Sequence, residues 1–136
     1  MRLEQQILSR LIYDENYCRK VIPFLKREYF IDRKESVVIS EISEFFTKYN
    51  KPITKEILAI EVSNRTDLND KELAEVGTFL DTLVDVPTND EWMITNTEKF
   101  CKDKAVYNAI LTSIRIQEGR DKTYTTDSIP SILSDA

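Results

Sequence analysis

The feature that most restricts how this chain can fold is residues 91–118, which follow one another without a glycine or a proline. An unbroken stretch of about 28 residues, closed by Gly119 as a candidate C-cap, predicts one long α-helix. At 1.5 Å per residue such a helix is about 40 Å long, which exceeds the roughly 30 Å diameter of a small domain. We therefore expect part of it to project from the rest of the chain or to pair with another helix.

Five shorter segments before that helix also carry apolar residues at helical spacing. We predict helices at about residues 3–13, 17–22, 34–49, 55–64 and 70–83, with an N-cap within residues 14–16 (DEN), Thr54, and either Asn69 or Asp70 as N-caps. Only 2 glycines and 4 prolines occur among 136 residues, and a β-rich fold needs more turn residues than that. The sequence therefore predicts an all-α fold with a compact bundle of short helices over residues 1–89. Residues 90–136 add the long helix and, from Ser128, the start of a second arm of a helical hairpin in the same domain.

The same pattern predicts which side chains are buried. The third segment has one apolar face, formed by Val37, Val38, Ile39, Ile42, Phe45 and Phe46. Its polar residues Glu35, Ser36, Ser40, Glu41 and Lys48 are expected on the opposite face. Tyr29 and Phe30 are expected to pack inward, and Phe79, Phe100 and Tyr107 are expected in the core. Gly77 stands inside a predicted helix, where it costs about 1 kcal/mol, and this indicates close packing around it.

The residue types present exclude several common kinds of catalytic and metal-binding site. The chain has no histidine and two cysteines, Cys18 and Cys101, which form no CxxC pair, so ordinary zinc sites and histidine-based catalysis are excluded. We expect both cysteines to be reduced and buried. The two glycines, Gly77 and Gly119, are too far apart for a phosphate-binding loop. We assign no catalytic residue, no cofactor site and no metal site to this chain.

Charge and hydropathy restrict the partners and the location. The net charge of −5 argues against strong nucleic-acid binding, since proteins that grip phosphates are usually basic. Lysines at positions 99, 102 and 104 alternate with acidic residues, which predicts a solvated, salt-bridged face. No apolar run approaches the roughly 20 residues that span a bilayer, and the first residues do not resemble a signal peptide. We therefore expect a cytoplasmic chain that does not contact a membrane.

The long helix carries apolar residues on two sides. The first stripe, which is sufficient to pack against the bundle, consists of Met93, Phe100, Tyr107, Ile110 and Ile114. The second stripe consists of Ala105, Ala109, Leu111 and Ile116. Because the far end of the helix should leave the bundle, the second stripe most simply meets a following segment or another subunit; the alternative is a single broader core. Trp92 either fixes the helix to the bundle or anchors a partner. The candidate protein interface is thus Trp92, Ala105, Ala109, Leu111 and Ile116.

Many runs of residues, in the same order along nearly the whole chain, resemble the opening of the replicative DNA helicases of T-even-type phages. These runs are residues 7–14 (ILSRLIYD), Tyr17, residues 21–23 (VIP), residues 28–30 (EYF), residues 48–52 (KYNKP) with Thr54 and Leu58, Trp92, residues 97–100 (TEKF), Ala105, residues 108–109 (NA) and residues 113–114 (SI). These enzymes are distant relatives of the bacterial DnaB-type helicases. The bacterial type commonly has a histidine soon after the aromatic pair, where this chain has residues 33–36 (RKES), and this difference fits a phage branch.

The resemblance implies a role that composition does not reveal. Members of the family are hexameric rings that unwind DNA by ATP hydrolysis. Their amino-terminal domains pair through helical hairpins into a collar that contacts primase, and a helicase loader is a further expected partner. ATP and Mg²⁺ are expected only in the motor domain, which the resemblance places downstream in a longer protein. The resemblance also implies the cytoplasm of the bacterial host as the location.

Two other hypotheses remain open at this stage. The chain could be a stand-alone phage regulatory protein that binds a host factor, or the helicase-binding domain of a primase, which shares the fold. The first of these requires that the natural gene end at Ala136, whereas the helicase hypothesis requires that it continue.

Overall fold

The computed structural model describes residues 2–117, which form six α-helices, two short 3-10 helices and no strand. The helices are α1 (Leu3–Tyr13), α2 (Glu15–Val21), α3 (Arg33–Tyr49), α4 (Lys55–Ser63), α5 (Asp70–Asp81) and α6 (Asp90–Gln117). The 3-10 helices, Ile22–Phe24 and Arg27–Tyr29, lie between α2 and α3. The all-α class is confirmed. Gly119 as a C-cap and the second arm from Ser128 lie outside the described residues.

Local capping determines where the short helices begin. Asp14 and Thr54 each accept a hydrogen bond from the backbone amide three residues further on, at 3.1 and 3.2 Å. Asn69, rather than Asp70, caps α5: its side chain accepts from the amide of Glu72 at 2.8 Å, and the Glu72 carboxylate accepts from the amide of Asn69 at 3.1 Å. The reciprocal pair satisfies two amides that a helix start leaves without intrahelical partners.

The end of α3 depends on Asn50. This residue adopts the left-handed conformation, with φ of 55°, which only glycine and asparagine tolerate readily. Arg19 of α2 donates from Nη2 to the Asn50 carbonyl oxygen at 2.9 Å and from Nη1 to its side-chain oxygen at 3.3 Å. The guanidinium therefore neutralises carbonyl charge at the carboxyl end of α3.

The described residues divide into two compact units, the first ending at Thr97 and the second beginning at Glu98. Helix α6 contributes its first eight residues to the first unit and the rest to the second. The division into residues 1–89 and 90–136 stays a prediction. The first unit is built around a core of fully buried side chains, among them Leu8, Leu11, Val38, Ile39, Ile42, Leu58, Leu83 and Met93.

The polar face expected on α3 was partly wrong. Glu35, Ser36 and Glu41 are buried, because α3 is contacted by α1, by α4 and α5, and by the second 3-10 helix, so that little of its surface remains for solvent. Glu41 is satisfied by Arg65, whose Nη1 donates to it at 2.8 Å. Phe45 and Phe46 of the expected apolar face are only half-buried.

The prediction of close packing at Gly77 was also wrong. A Cβ atom built on this residue meets no other atom within 4 Å, and the residue lies on the exposed side of α5. The glycine therefore weakens the helix without serving a close approach. Tyr29 and Phe30 are buried as predicted, and so are Phe79 and Phe100.

None of the helices formed by residues 2–117 combines the length and the apolar character that a bilayer crossing requires.

Candidate protein interfaces

The second unit presents an apolar helix face to solvent. Val106, Tyr107, Ile110 and Ile114 of α6 are each between 43% and 51% exposed. At 100° per residue they fall within about 100° of the helix circumference, so they form one continuous face. We call these four residues the α6 apolar face. A helix normally buries such a face, and a cluster of large exposed apolar side chains marks a surface that binds another molecule.

Another side of the same helix segment carries apolar residues that are more buried. Ala109 and Ile116 are buried there and Ala105 is half-buried, while Leu111, also half-buried, lies about 40° from Tyr107, beside the α6 apolar face. Of the first stripe, Met93 and Phe100 are buried as expected. Tyr107, Ile110 and Ile114 were expected to pack within the chain, and this was wrong: they are the exposed residues. Val106 was missed, although its spacing of four residues from Ile110 could have indicated it.

The five interface candidates occupy two units. Ala105, Ala109, Leu111 and Ile116 lie in the second unit on α6, while Trp92 lies in the first unit, about half exposed, two residues after the start of the helix. The Trp92 amide donates to the Asn89 side chain at 2.9 Å. Their role as a protein interface stays a prediction.

The start of α6 is fixed within the first unit by two buried residues. Met93 is buried, and Thr97 shares a hydrogen bond of 2.6 Å with the hydroxyl of Tyr17 of α2. Because a buried hydroxyl pair loses free energy when either partner is removed, this contact orients the first two turns of α6.

Charges on α6 pair along the helix, as predicted. Lys99 contacts Asp103 at 3.0 Å and Lys102 contacts Glu98 at 3.5 Å, both with the spacing of one helical turn. Lys104 Nζ lies 5.8 Å from the centroid of the Phe100 ring. These exposed pairs contribute little stability and leave no concentrated positive charge there.

The grooves of the first unit contain no recognisable catalytic arrangement. A cavity of about 200 Å³ is lined by residues of α1, α2 and the start of α6, including Arg10, Tyr17 and Met93. Another, of about 260 Å³, lies between α3 and α4. Within residues 2–117 no three histidine, cysteine, aspartate or glutamate residues are grouped so that they could hold a metal ion.

Neither cysteine forms a disulfide, and neither thiol is in a reactive state. Cys18 is buried as expected, whereas Cys101 is only half-buried. Burial raises the pKa of each thiol to about 11, so both remain protonated at neutral pH. A thiol in this state is a poor nucleophile.

An ion-pair network joins α3 to α5 through the connection before α5. Arg65 donates from Nε and Nη2 to the two carboxylate oxygens of Asp67 at 2.9 and 2.7 Å, and from Nη1 to Glu41. Arg33 donates to the same Asp67 at 3.1 Å. These guanidinium groups, Arg65 first, hold the pKa of Asp67 well below its usual range. The network is structural, because every carboxylate in it is matched by a guanidinium.

The amino-acid sequence is similar to that of a known protein over nearly its whole length. A DnaB-like replicative helicase of Enterobacteria phage T4 is 29% identical to this chain over 138 aligned positions, which cover 96% of the chain. The chain is similar to a phage replicative helicase. The resemblance carried by the residues is thereby confirmed, and it supports a role related to replicative helicases. No protein-family model matches the chain.

The similarity to the phage T4 helicase covers only part of that protein. The chain spans 29% of its length. The helicase activity of the T4 protein therefore does not transfer directly to this chain.

Proposed function

We propose that this chain is the amino-terminal assembly domain of a phage replicative DNA helicase. In this role it supports formation of the hexameric ring and contacts a primase or a helicase loader, while ATP hydrolysis and DNA unwinding belong to a motor domain elsewhere in the protein. The observation that carries the proposal is the similarity to the T4 helicase over nearly all of this chain but less than a third of that protein.

The α6 apolar face supports an assembly role. Its four large side chains are about half exposed, so each still has apolar area to bury, and burial contributes about 25 cal/mol for each Å² removed from water. The face lies on a regular helix, whose side chains are held in fixed relative positions. A rigid apolar face of this kind suits helix-to-helix pairing between copies of one chain.

The other residues support a binding role rather than a catalytic one. The cysteine thiols are protonated, and the charged side chains of the Arg65 network and of α6 are ion-paired, including Glu41 and Arg65 where they line the cavity between α3 and α4. We expect the purified chain to hydrolyse no ATP above background. A measurable turnover that follows the protein through purification would contradict the proposal.

The origin of the chain can be tested at the level of the gene. We expect the reading frame to continue past the codon for Ala136 and to encode a phosphate-binding loop of the type GxxxxGK[ST]. A stop codon directly after Ala136 in the natural gene would contradict a helicase and favour the stand-alone regulatory protein.

A further inference from the structure

The connection between α2 and α3 exposes two large apolar side chains. Ile31 is 75% exposed and Phe24 is 68% exposed, the highest values for large apolar residues within residues 2–117. Their neighbours Leu25, Tyr29 and Phe30 are buried. The connection is therefore anchored to the bundle by its buried side chains, while Phe24 and Ile31 remain in solvent.

Cationic side chains accompany this exposed apolar surface. Lys26 and Arg27 are both exposed, and no carboxylate of residues 2–117 forms an ion pair with either. Arg27 donates from Nε to the hydroxyl of Ser36 at 3.1 Å, which holds its stem against the start of α3 and leaves its charge unbalanced. We call Phe24, Lys26, Arg27 and Ile31 the basic-apolar patch.

The backbone limits how far apart the four residues of the patch lie. Two 3-10 turns fold the segment: the amide of Leu25 donates to the Ile22 carbonyl at 3.3 Å, and the amide of Phe30 donates to the Arg27 carbonyl at 3.1 Å. Ile31 is seven positions after Phe24, and a segment of that length containing such turns spans about 20 Å at most. Three to four turns of a partner helix cover this distance.

The patch contrasts with the charge of the whole chain. Residues 19–34 contain six basic and two acidic residues; Arg19, Arg33 and Lys34 pair with carboxylates, which leaves Lys20, Lys26 and Arg27 without an ion pair among the described residues of a chain whose net charge is −5. A concentration of positive charge within an acidic protein selects a partner by its charge and steers its approach.

We propose that the basic-apolar patch binds an acidic, amphipathic segment of a partner protein. Apolar side chains of that segment cover Phe24 and Ile31, and its carboxylates pair with Lys26 and Arg27. The proposal goes beyond the assembly role and does not depend on it, because the α6 apolar face takes no part.

The observations favour a protein segment over single-stranded nucleic acid. A strand that extends past the patch meets the net negative charge of the remaining residues, whereas a short acidic segment ends before it. Bases stack on aromatic rings, and of the two exposed apolar side chains only Phe24 has one. Contact with an aliphatic or aromatic side chain of a peptide buries more apolar surface of Ile31 than contact with a nucleic-acid strand does.

The test is a titration of the isotopically labelled chain, followed by amide NMR. The probe is a synthetic helical peptide of about four turns, with leucines on one face and glutamates on the other. Control probes are a peptide of the same composition in scrambled order and an oligothymidylate of about 20 nucleotides. We expect the amphipathic peptide to shift the amide signals of residues 23–31 and to bind more weakly as salt rises from about 50 to about 300 mM.

Substitutions in the basic-apolar patch test whether the peptide binds there. Phe24→Ser with Ile31→Ser, and separately Lys26→Glu, should each weaken peptide binding about tenfold or more, since each removes either an apolar contact or an ion pair. The matched controls Ile60→Ser and Lys51→Glu change exposed residues elsewhere in the first unit and should bind as the parent does. All positions are exposed, so the fold should survive, and unchanged amide spectra of the free variants verify this.

Three outcomes would overturn the proposal. The amphipathic peptide fails to bind at millimolar concentration, or it shifts amides away from residues 23–31. Alternatively the oligothymidylate binds this patch more tightly than the peptide does, which identifies a nucleic-acid site instead. Self-association through α6 is measured separately, so failure here leaves the assembly role untouched.

Discussion

Glu35 is the residue whose environment is least favourable to its charge. It is 1% exposed, and its Oε2 lies 3.3 Å from Nη1 of Arg2 without forming a hydrogen bond of ordinary geometry. Burial raises the pKa of the carboxyl, and the Arg2 guanidinium opposes this only in part. The native state therefore disfavours the ionised form that Glu35 adopts in an unfolded chain at neutral pH.

We predict that Glu35→Gln stabilises the chain at neutral pH. With the folded pKa raised above the unfolded value, the native state binds the proton more tightly, so the parent loses stability as the pH rises between the two values. Glutamine removes that dependence, and the advantage of the variant should disappear as the pH falls below the unfolded pKa. Thermal unfolding followed by circular dichroism over a pH series measures this, with the exposed Glu44→Gln as control. A variant less stable than the parent at pH 7 would show that the Arg2 ion pair dominates.

Gly77→Ala tests the absence of close packing on α5. A Cβ at this position has open space around it, and alanine has a higher helix propensity than glycine. The free energy of unfolding in urea should rise by about 0.5–1 kcal/mol. A decrease would mean that an atom does approach this position in solution. Thr78→Ala, at the next position of the same helix, is the control for a general change of helix propensity.

Residue-scale features divide into those that sequence can predict and those that it cannot. Thr54 was predicted as a cap, and Asp14 and Asn69 were among the candidates, because each bonds to a backbone amide three residues away. Burial of Glu35 and Glu41 was not predicted, because it depends on α1, α4 and α5 all packing against α3. Local spacing reports the periodicity of a helix but not the number of its neighbours.

At the scale of elements, Arg65 holds the connection between α4 and α5. Its side chain is mostly buried, and it bonds both to Asp67 and to the largely buried Glu41 of α3. Replacing it with methionine keeps most of the apolar stem but leaves Glu41 as a buried charge without a partner. Arg65→Met should therefore lower the free energy of unfolding by about 3 kcal/mol.

The control for Arg65→Met is Lys71→Met, which removes an exposed charge of α5 and should change stability by less than about 0.5 kcal/mol. The pH dependence gives a second check. Because the pKa of Asp67 is lowered in the folded chain, its contribution is present above the unfolded pKa and is lost as the pH falls through the folded one. Arg65→Met should flatten that loss, and a variant with the acid sensitivity of the parent would contradict the role given to this network.

For the long helix, the apolar pattern predicts the position of the helix but not which of its residues are buried. Its existence and its start within one residue of Asp90 followed from the absence of breakers and from the boundary at Pro87. Its two apolar sides were also evident. Which residues of each side are buried was not evident, because 3.6-residue periodicity places residues on faces without identifying what lies against them.

At the scale of the whole molecule, the two units differ in how completely they bury their apolar residues. The first unit has a continuous core with Met93 and Leu83 fully buried. The second unit, within the residues described, leaves Val106, Tyr107, Ile110 and Ile114 exposed. That difference supports the proposed assembly role of the second unit. The resemblance to helicases could be recognised from many matching residues in the same order along the sequence. The α6 apolar face became evident only from the three-dimensional structure.

The choice of variant for testing assembly follows from burial. Ile116 is buried, so an aspartate there would destabilise the chain whatever its role in association. Ile110 is 47% exposed in the centre of the α6 apolar face, so an aspartate there adds a charge without removing a core side chain. Ile60 of α4 is 58% exposed in the first unit and offers the same substitution as a control.

The most direct test of the assembly role is sedimentation velocity of the chain over a concentration series from micromolar to millimolar. We predict that the parent and Ile60→Asp sediment faster as concentration rises, because the α6 apolar face pairs between copies, and that Ile110→Asp remains a monomer throughout. A parent chain that stays monomeric over the whole series, or an Ile110→Asp variant that associates as the parent does, would contradict the account.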